Sequence, residues 1–382
     1  MNTYRYPCTG NIGIKGFGAY LEEEIGEPRR NLRLFAAELS EALSCGHITL
    51  TNSGSSANLT AALAMAEKCR KAGKPLTAFA SALTFPTTIS SLLLAGFEVH
   101  LIDTEKDGFN MDLGLLEKEE RRASLIAVTH FLGFPCNMER LRRYADAHGC
   151  LILQDACETF STSGNQYYRR GDITTLSFYH PHHLSSYGGG AVICRDMEDY
   201  ILCDSIAHWG RACKCHIDES LCTNPDGPAH QFTYERPGVN VEMSELNACF
   251  GRWQLRQWDH YEALRRRNYR ILQERLCGNP NLRIWPADSD SPSRFVFPIR
   301  LLNGMDVRAA WELLSPEGVE IRTLMGGATC TQPAFKDRVT YGPQTNANAT
   351  AMADTTFFVG IHQTLPEADV AEVAGIIDET FG

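Results

Sequence analysis

Three histidines crowd the stretch SFYHPHHLSSYGGG, from Ser177 to Gly190, and no lysine accompanies them. Imidazole titrates near neutral pH and can take or return a proton, so this stretch is a candidate for acid–base work. Two other stretches carry usable chemistry. TNSGSSAN (51–58) runs into a helical pattern. The N–H groups and hydroxyls of its Gly54, Ser55 and Ser56 suit a phosphate at a positive helix N-terminus, although a plain helix cap has the same composition. QDACETF (154–160) ends an apolar run on Asp155. A buried carboxylate there needs a cation or several hydrogen bonds, and a helix cap or an ordinary ion pair would also satisfy it.

These residues must be positioned by the elements around them. Short apolar runs alternate with helical patterns from about residue 50 to 205: LTAFAS (76–81), EVHLID (98–103), LIAVTH (125–130), CLILQD (150–155), ITTLSFY (173–179) and GAVICR (190–195) read as strands. Helices are expected at about 56–72, 138–148 and 197–207. The alternation predicts an α/β fold with a mainly parallel sheet, in which ligands bind beyond the carboxyl ends of the strands. Met243 to Leu276 reads as helical apart from Gly251 and leads into a smaller α/β unit built from FVFPIRL, VEIRTLM and the C-terminal PEADVAEVAGIIDETF. The expected division is a large cofactor-binding domain over residues 1–250 and a smaller C-terminal domain over 251–382.

Composition narrows the function. The chain has 382 residues, 43% of them apolar, enough for a large core. A formal charge of −10 with acids and bases interspersed argues against a nucleic-acid surface. No apolar run is long enough to span a bilayer and the N-terminus lacks a signal-peptide core, so a cytoplasmic enzyme of small molecules is expected. Fourteen cysteines in a reducing compartment are buried thiols or metal ligands rather than disulfides.

The segments NSGSSANL, ALTFPTTISSLLLAGFEVHLID, the QD pair, GDITTLSFY, GVNVEMSELNACFG and FVGIHQTL together resemble the DegT-type sugar aminotransferase family, pyridoxal-phosphate enzymes of fold type I. The resemblance runs from about Asn52 to the C-terminus, and the first fifty residues fit it poorly. It implies that Gly54, Ser55 and Ser56 hold the cofactor phosphate, that Ser177 is a further cofactor-binding residue, that Asp155 keeps the pyridine nitrogen protonated and that Phe85 covers the ring. It also implies a homodimer with shared active sites, because Asn240 in such enzymes reaches the cofactor phosphate of the neighbouring subunit. Family members carry a Schiff-base lysine five residues after the serine of SF. Here that position is His182, and no lysine lies between Lys118 and Lys214. The lysine-free branch of the family, the sugar 3-dehydratases, uses pyridoxamine phosphate (PMP) and a histidine base, so His182 is the implied catalytic base.

The cysteines separate two kinds of dehydratase. Cys157, Cys213, Cys215 and Cys222 form a C-x55-C-x-C-x6-C pattern similar to the cluster ligands of the CDP-6-deoxy-hexulose 3-dehydrases. That similarity implies a [2Fe-2S] centre fed by an NAD(P)H-dependent reductase, with four-cysteine zinc as the competing occupant. The expected reaction is removal of the C3 hydroxyl from a nucleotide-linked 4-keto-6-deoxysugar. A redox-neutral dehydratase without the cluster, and a non-catalytic relative that binds a sugar nucleotide or senses redox state, are the alternatives. The chain departs from the branch at Tyr187 and Gly188, where a Gly-Glu pair is usual, and at Glu242, where a basic residue is common.

Overall fold

Short apolar runs become fully buried strands when helices cover both faces of a sheet. The first seven do so here: β1 (His47–Thr51), β2 (Thr77–Ser81), β3 (Glu98–Ile102), β4 (Leu125–Thr129), β5 (Leu151–Asp155), β6 (Ile173–Ser177) and β7 (Gly190–Cys194). Five shorter strands follow, β8 (Leu282–Ile284), β9 (Phe297–Leu301), β10 (Arg322–Thr323), β11 (Val339–Tyr341) and β12 (Thr356–Val359). The computed structural model describes the whole chain except residues 1–3, 11, 163–164, 218, 222–228, 288–290 and 343–345.

The large sheet has the order β1-β7-β6-β5-β4-β2-β3-β11. From β6 to β11 every neighbouring pair is parallel, whereas β7 runs antiparallel to both β6 and β1. The two antiparallel pairings depart from a purely parallel sheet. The segment from β6 to β7 contains no crossover helix, so the chain returns antiparallel to β6. The smaller sheet, β10-β12-β9-β8, is antiparallel throughout. The α/β architecture is thus a large, mainly parallel sheet with a smaller C-terminal α/β unit, as expected. Among the described residues no helix is long and apolar enough to cross a membrane.

Helix Gly54–Lys71 lies across the large sheet and buries Ala57, Ala61, Ala62 and Ala64, small side chains that permit close approach. The helical run expected from Met243 to Leu276 is two helices, Glu245–Leu255 and Trp258–Leu276. The break falls at Gln257 (φ −105°, ψ 3°) rather than at Gly251, and beyond it Trp258 packs edge-on against Phe160 with centroids 4.7 Å apart. Gly251 is helical because its missing side chain admits Phe35: a Cβ there would sit 2.5 Å from the Phe35 ring.

The N-terminal segment, which the sequence left unplaced, docks on the C-terminal unit. Tyr6 donates its N–H to the Gly318 carbonyl (2.9 Å) and accepts from the N–H of Glu320 (3.0 Å).

Helix propensity alone would favour alanine at any internal helical glycine by about 1 kcal/mol. Gly375 in helix Glu367–Phe381 has open space where a Cβ would stand, so Gly375→Ala should raise the denaturant midpoint. Gly251→Ala should instead lower stability by about 1–3 kcal/mol, because overpacking against Phe35 outweighs propensity.

Candidate active site

Asp155 ends β5 almost fully buried, and its carboxylate is satisfied by hydrogen bonds from three elements. Oδ2 accepts from Asn58 Nδ2 on helix Gly54–Lys71 (2.8 Å) and from Thr88 Oγ1 on helix Pro86–Leu94 (2.6 Å). Oδ1 accepts from the N–H of Cys157 (3.1 Å). A second layer fixes the first: Thr175 Oγ1 donates to Asn58 Oδ1 (2.6 Å), and Thr84 Oγ1 donates to Thr88 Oγ1 (3.0 Å). This is the set of hydrogen bonds that a buried carboxylate without a protein cation requires.

A cavity of about 490 Å³ opens over Asp155, at the carboxyl ends of β5 and β6. Its wall brings together Gly54, Ser55, Phe85, Asp155, Cys157, Ser177 and His182. Ser56 is not on that wall; its hydroxyl donates to Asn52 Oδ1 (2.6 Å), and its N–H is capped by Ser53 Oγ (3.0 Å). Gly54 is required by close approach, since a Cβ there would lie 2.6 Å from Ser177 Cβ and 3.0 Å from Cys157 Sγ. That contact seats the N-terminus of an 18-residue helix in the cavity wall, with its positive end available to an anion.

The far wall comes from distant sequence: Cys8 and Thr9 of the N-terminal segment, and Arg265, Phe295, Arg322, Met325 and His362. Phe295, Arg322, Met325 and His362 sit inside FVFPIRL, VEIRTLM and FVGIHQTL but were not singled out there, and nothing in the sequence pointed to Cys8, Thr9 or Arg265. Glu158, also on the wall, sits inside QDACETF but was not singled out there.

Enclosure sets the protonation states. The His182 ring faces the cavity and stacks on Phe295 (5.0 Å, 23°), and burial by the surrounding protein pushes its pKa down to about 4. It is therefore a neutral base at pH 7. Burial acts oppositely on Glu158, pushing its carboxyl up to about 8, with the Leu132 N–H (2.5 Å) as its partner. Leu132 presents that N–H from a left-handed backbone conformation, φ 54°. Burial, with Asp155 beside it, holds the Cys157 thiol well above its usual range. His183 has a different environment, its Nε2 lying 2.9 and 3.0 Å from the carbonyls of Ser293 and Arg294.

The remaining expected residues lie away from this cavity. Cys213 and Cys215 converge on His230 and form a single group with it, and Cys157 is not a member of that group. Cys222 lies outside the described residues. Asn240 is not on the cavity wall; it pairs with His208 across an isolated bridge. Glu242 accepts from Arg29 (2.6 Å) and faces His208 Nε2 (3.2 Å).

Residues 19–378 match the model of the DegT/DnrJ/EryC1/StrS aminotransferase family. The chain is 30% identical over 375 residues to a dTDP-4-dehydro-2,6-dideoxy-D-glucose 3-dehydratase of Saccharopolyspora spinosa, covering 91% of this chain and 80% of that protein. It is 29% identical over 373 residues to the lipopolysaccharide biosynthesis protein RfbH of Salmonella typhimurium, covering 91% and 84%. The structure of an E. coli GDP-4-keto-6-deoxy-D-mannose-3-dehydratase with bound hydrated PLP superposes with a TM-score of 0.87 at 20% identity, over 98% of this chain and all of that one.

The buried imidazoles make stability depend on pH. His130 is depressed to about 3, His182 and His362 to about 4, and His183 well below 6.5, so the unfolded chain binds their protons first as pH falls below 6.5. Glu158 works the other way, losing stability as pH rises from 4.5 toward 8, as do the raised carboxyls of Glu105 and Asp199, but the depressed imidazoles, His100 among them, outnumber these groups. The urea midpoint should therefore fall steadily between pH 6.5 and about 4.5. A flat profile there would show that these imidazoles are not enclosed as described.

Proposed function

The chain belongs to the DegT/DnrJ/EryC1/StrS aminotransferase family, and from that premise we propose that it is a 3-dehydratase of a nucleotide-linked 4-keto-6-deoxysugar, dependent on PMP and lacking the family's Schiff-base lysine. The observation that carries this reading is His182, an imidazole on the cavity wall beside Ser177 and Asp155 where the resemblance leads one to expect a lysine. The relatives named above as 3-dehydratases support the reaction class.

The residues fit the cofactor. The helix N-terminus at Gly54 and Ser55, with Ser177, would hold its phosphate; Asp155 would pair with the ring nitrogen, and Phe85 would cover the ring. When bound, pyridoxamine phosphate supplies a primary amine for the C4 ketone and an electron-withdrawing ring. His182, neutral at pH 7, removes a proton at the reacting centre. Glu158, still protonated at pH 7, delivers a proton to the departing C3 hydroxyl, which leaves as water. Phe295, buried and stacked on the His182 ring, shields that base from solvent. A homodimer completes the proposal, with Asn240 of one protomer serving the other's phosphate, in keeping with its absence from the wall of its own cavity.

Replacing a C3 hydroxyl by hydrogen is a two-electron reduction. In the redox-neutral form the electrons come from an amino-acid donor, which leaves as its 2-oxo acid and ammonia, and this form is the better supported. A reductive form, with [2Fe-2S] on Cys157, Cys213, Cys215 and Cys222 and an NAD(P)H-dependent reductase, is the second reading. It is favoured by the proximity of Cys213 to Cys215 and disfavoured by the position of Cys157, which lines the Asp155 cavity and is not a member of the Cys213–Cys215 group. Anaerobic spectra with iron and sulfide analysis decide between the two forms.

Borohydride should fix no pyridoxal phosphate to the polypeptide, whereas pyridoxamine phosphate should bind; a reduced adduct on a lysine peptide would refute the reading. His182→Asn should keep cofactor binding and lose exchange of the cofactor's methylene proton, followed by mass spectrometry. Glu158→Gln should keep that exchange but lower dehydration by about 10²-fold or more. The wild-type rate should fall as pH rises through about 8, where Glu158 loses its proton, and as pH drops toward about 4, where His182 gains one. Equal turnover by wild type and Glu158→Gln across that range would remove Glu158 from the mechanism.

A further inference from the structure

The chain leaves the large unit at Arg211 and rejoins it at Tyr234, and the neck of this excursion is closed by an antiparallel bridge between those two residues and by the Ala212 N–H donating to the Thr233 carbonyl (2.9 Å). Inside that neck, Cys213 Sγ lies 3.2 Å and Cys215 Sγ 3.4 Å from one atom, His230 Nε2. The three ligand atoms lie within 4.8 Å of one another. A single imidazole nitrogen carries either one proton or one lone pair, so it can form one good hydrogen bond but not two. A shared cation accounts for both contacts. Tetrahedral bonds of about 2.3 Å to sulfur and about 2.0 Å to nitrogen place the two donors about 3.5 Å apart, close to both distances observed here.

We propose that Cys213, Cys215 and His230 bind a zinc-type divalent ion that clips the excursion closed, and that Cys157 is not one of its ligands. Two thiolates and an imidazole form a donor set suited to Zn²⁺, and closing a long loop is a stabilising use of such an ion. Cys157 belongs to the other site, its sulfur lying against Gly54 in the cavity wall. The clip also has an anchor. His216, next to Cys215, places Nε2 2.6 Å from Asp204 Oδ2 on helix Met197–Ala207. This contact ties the clip to the helix whose last carbonyls, Ile206 and Ala207, accept the N–H groups of Val239 and Val241 on either side of Asn240.

The inference does not rest on the dehydratase reading, because metal content and cofactor binding are measured separately. Full-length protein stripped by chelator should bind one equivalent of Co²⁺ anaerobically, with thiolate-to-cobalt charge-transfer absorption and the visible bands of a tetrahedral ion, and Zn²⁺ should displace it. Cys213→Ser, Cys215→Ser and His230→Asn should each weaken cobalt binding at least tenfold. His230→Cys should restore it with a spectrum shifted toward three thiolates, which separates lost ligation from lost folding. Cys157→Ser should retain the full equivalent. The proposal is overturned if folded wild-type protein binds no cobalt, if His230→Asn binds it unchanged, or if the purified protein holds iron and sulfide in equal amounts that are lost in Cys157→Ser.

Discussion

The cavity is built around the need to satisfy one buried carboxylate. Asp155 sits at a strand end with little exposure, and its three hydrogen bonds come from two helices and the turn that follows β5. Asn58 can reach it only because helix Gly54–Lys71 lies close to β6, and that approach depends on Gly54 having no side chain. The helix N-terminus, Ser177 and Asp155 are thus held in one wall by a single packing arrangement. A larger residue at position 54 would displace the anion-binding end and Asp155's partner together.

The same enclosure gives two titratable groups opposite proton states. A low-dielectric wall penalises charge of either sign, so it makes imidazole a neutral base and a carboxyl a neutral acid at the same pH. His182 at about 4 and Glu158 at about 8 leave a window of about four pH units in which the imidazole is neutral while the carboxyl keeps its proton. No lysine is needed to create that window. The stacked ring of Phe295 and the left-handed turn at Leu132 hold the two groups in place.

How far the sequence reveals this depends on the range of the interactions involved. The apolar runs that became β2 to β7 were legible because burial on both faces leaves a continuous apolar signature; Asp155 could be read from its place at a strand end, and Ser177 and His182 from the family resemblance. Glu158 was visible as a residue but not as an acid, because its pKa follows from enclosure by Leu132 and the cavity wall. Thr9 reaches the cavity because the N-terminal segment docks on the C-terminal unit, a long-range contact that leaves no local pattern; Arg322 and His362 sit in recognisable segments whose approach to the cavity is likewise set by tertiary packing. The cysteines illustrate the same limit. A spacing of 55 residues carries no distance, and the nearer partner of Cys213 and Cys215 among the described residues is a histidine fifteen residues downstream of Cys215.

The charge reversal at Glu242 follows the same logic of local compensation. Its carboxylate accepts from Arg29 and faces His208, which two acids, Asp204 and Glu242, hold protonated up to about pH 10 despite burial. A basic residue at 242 would confront both an arginine and an imidazolium, so the acid at this position and the cations around it make sense only as a set. Arg29 lies in the N-terminal region, which the family model matches from residue 19 onward although its motifs were not legible there, and His208 caps the helix against which the Asn240 segment lies. Val239 donates its N–H to the Ile206 carbonyl (2.8 Å), and Trp209 donates to the Val239 carbonyl (2.8 Å). The ion pairs join those backbone bonds to the N-terminal segment. Glu242 thereby tethers the segment two residues after Asn240, a role that a base in the same place could not fill beside Arg29 and His208.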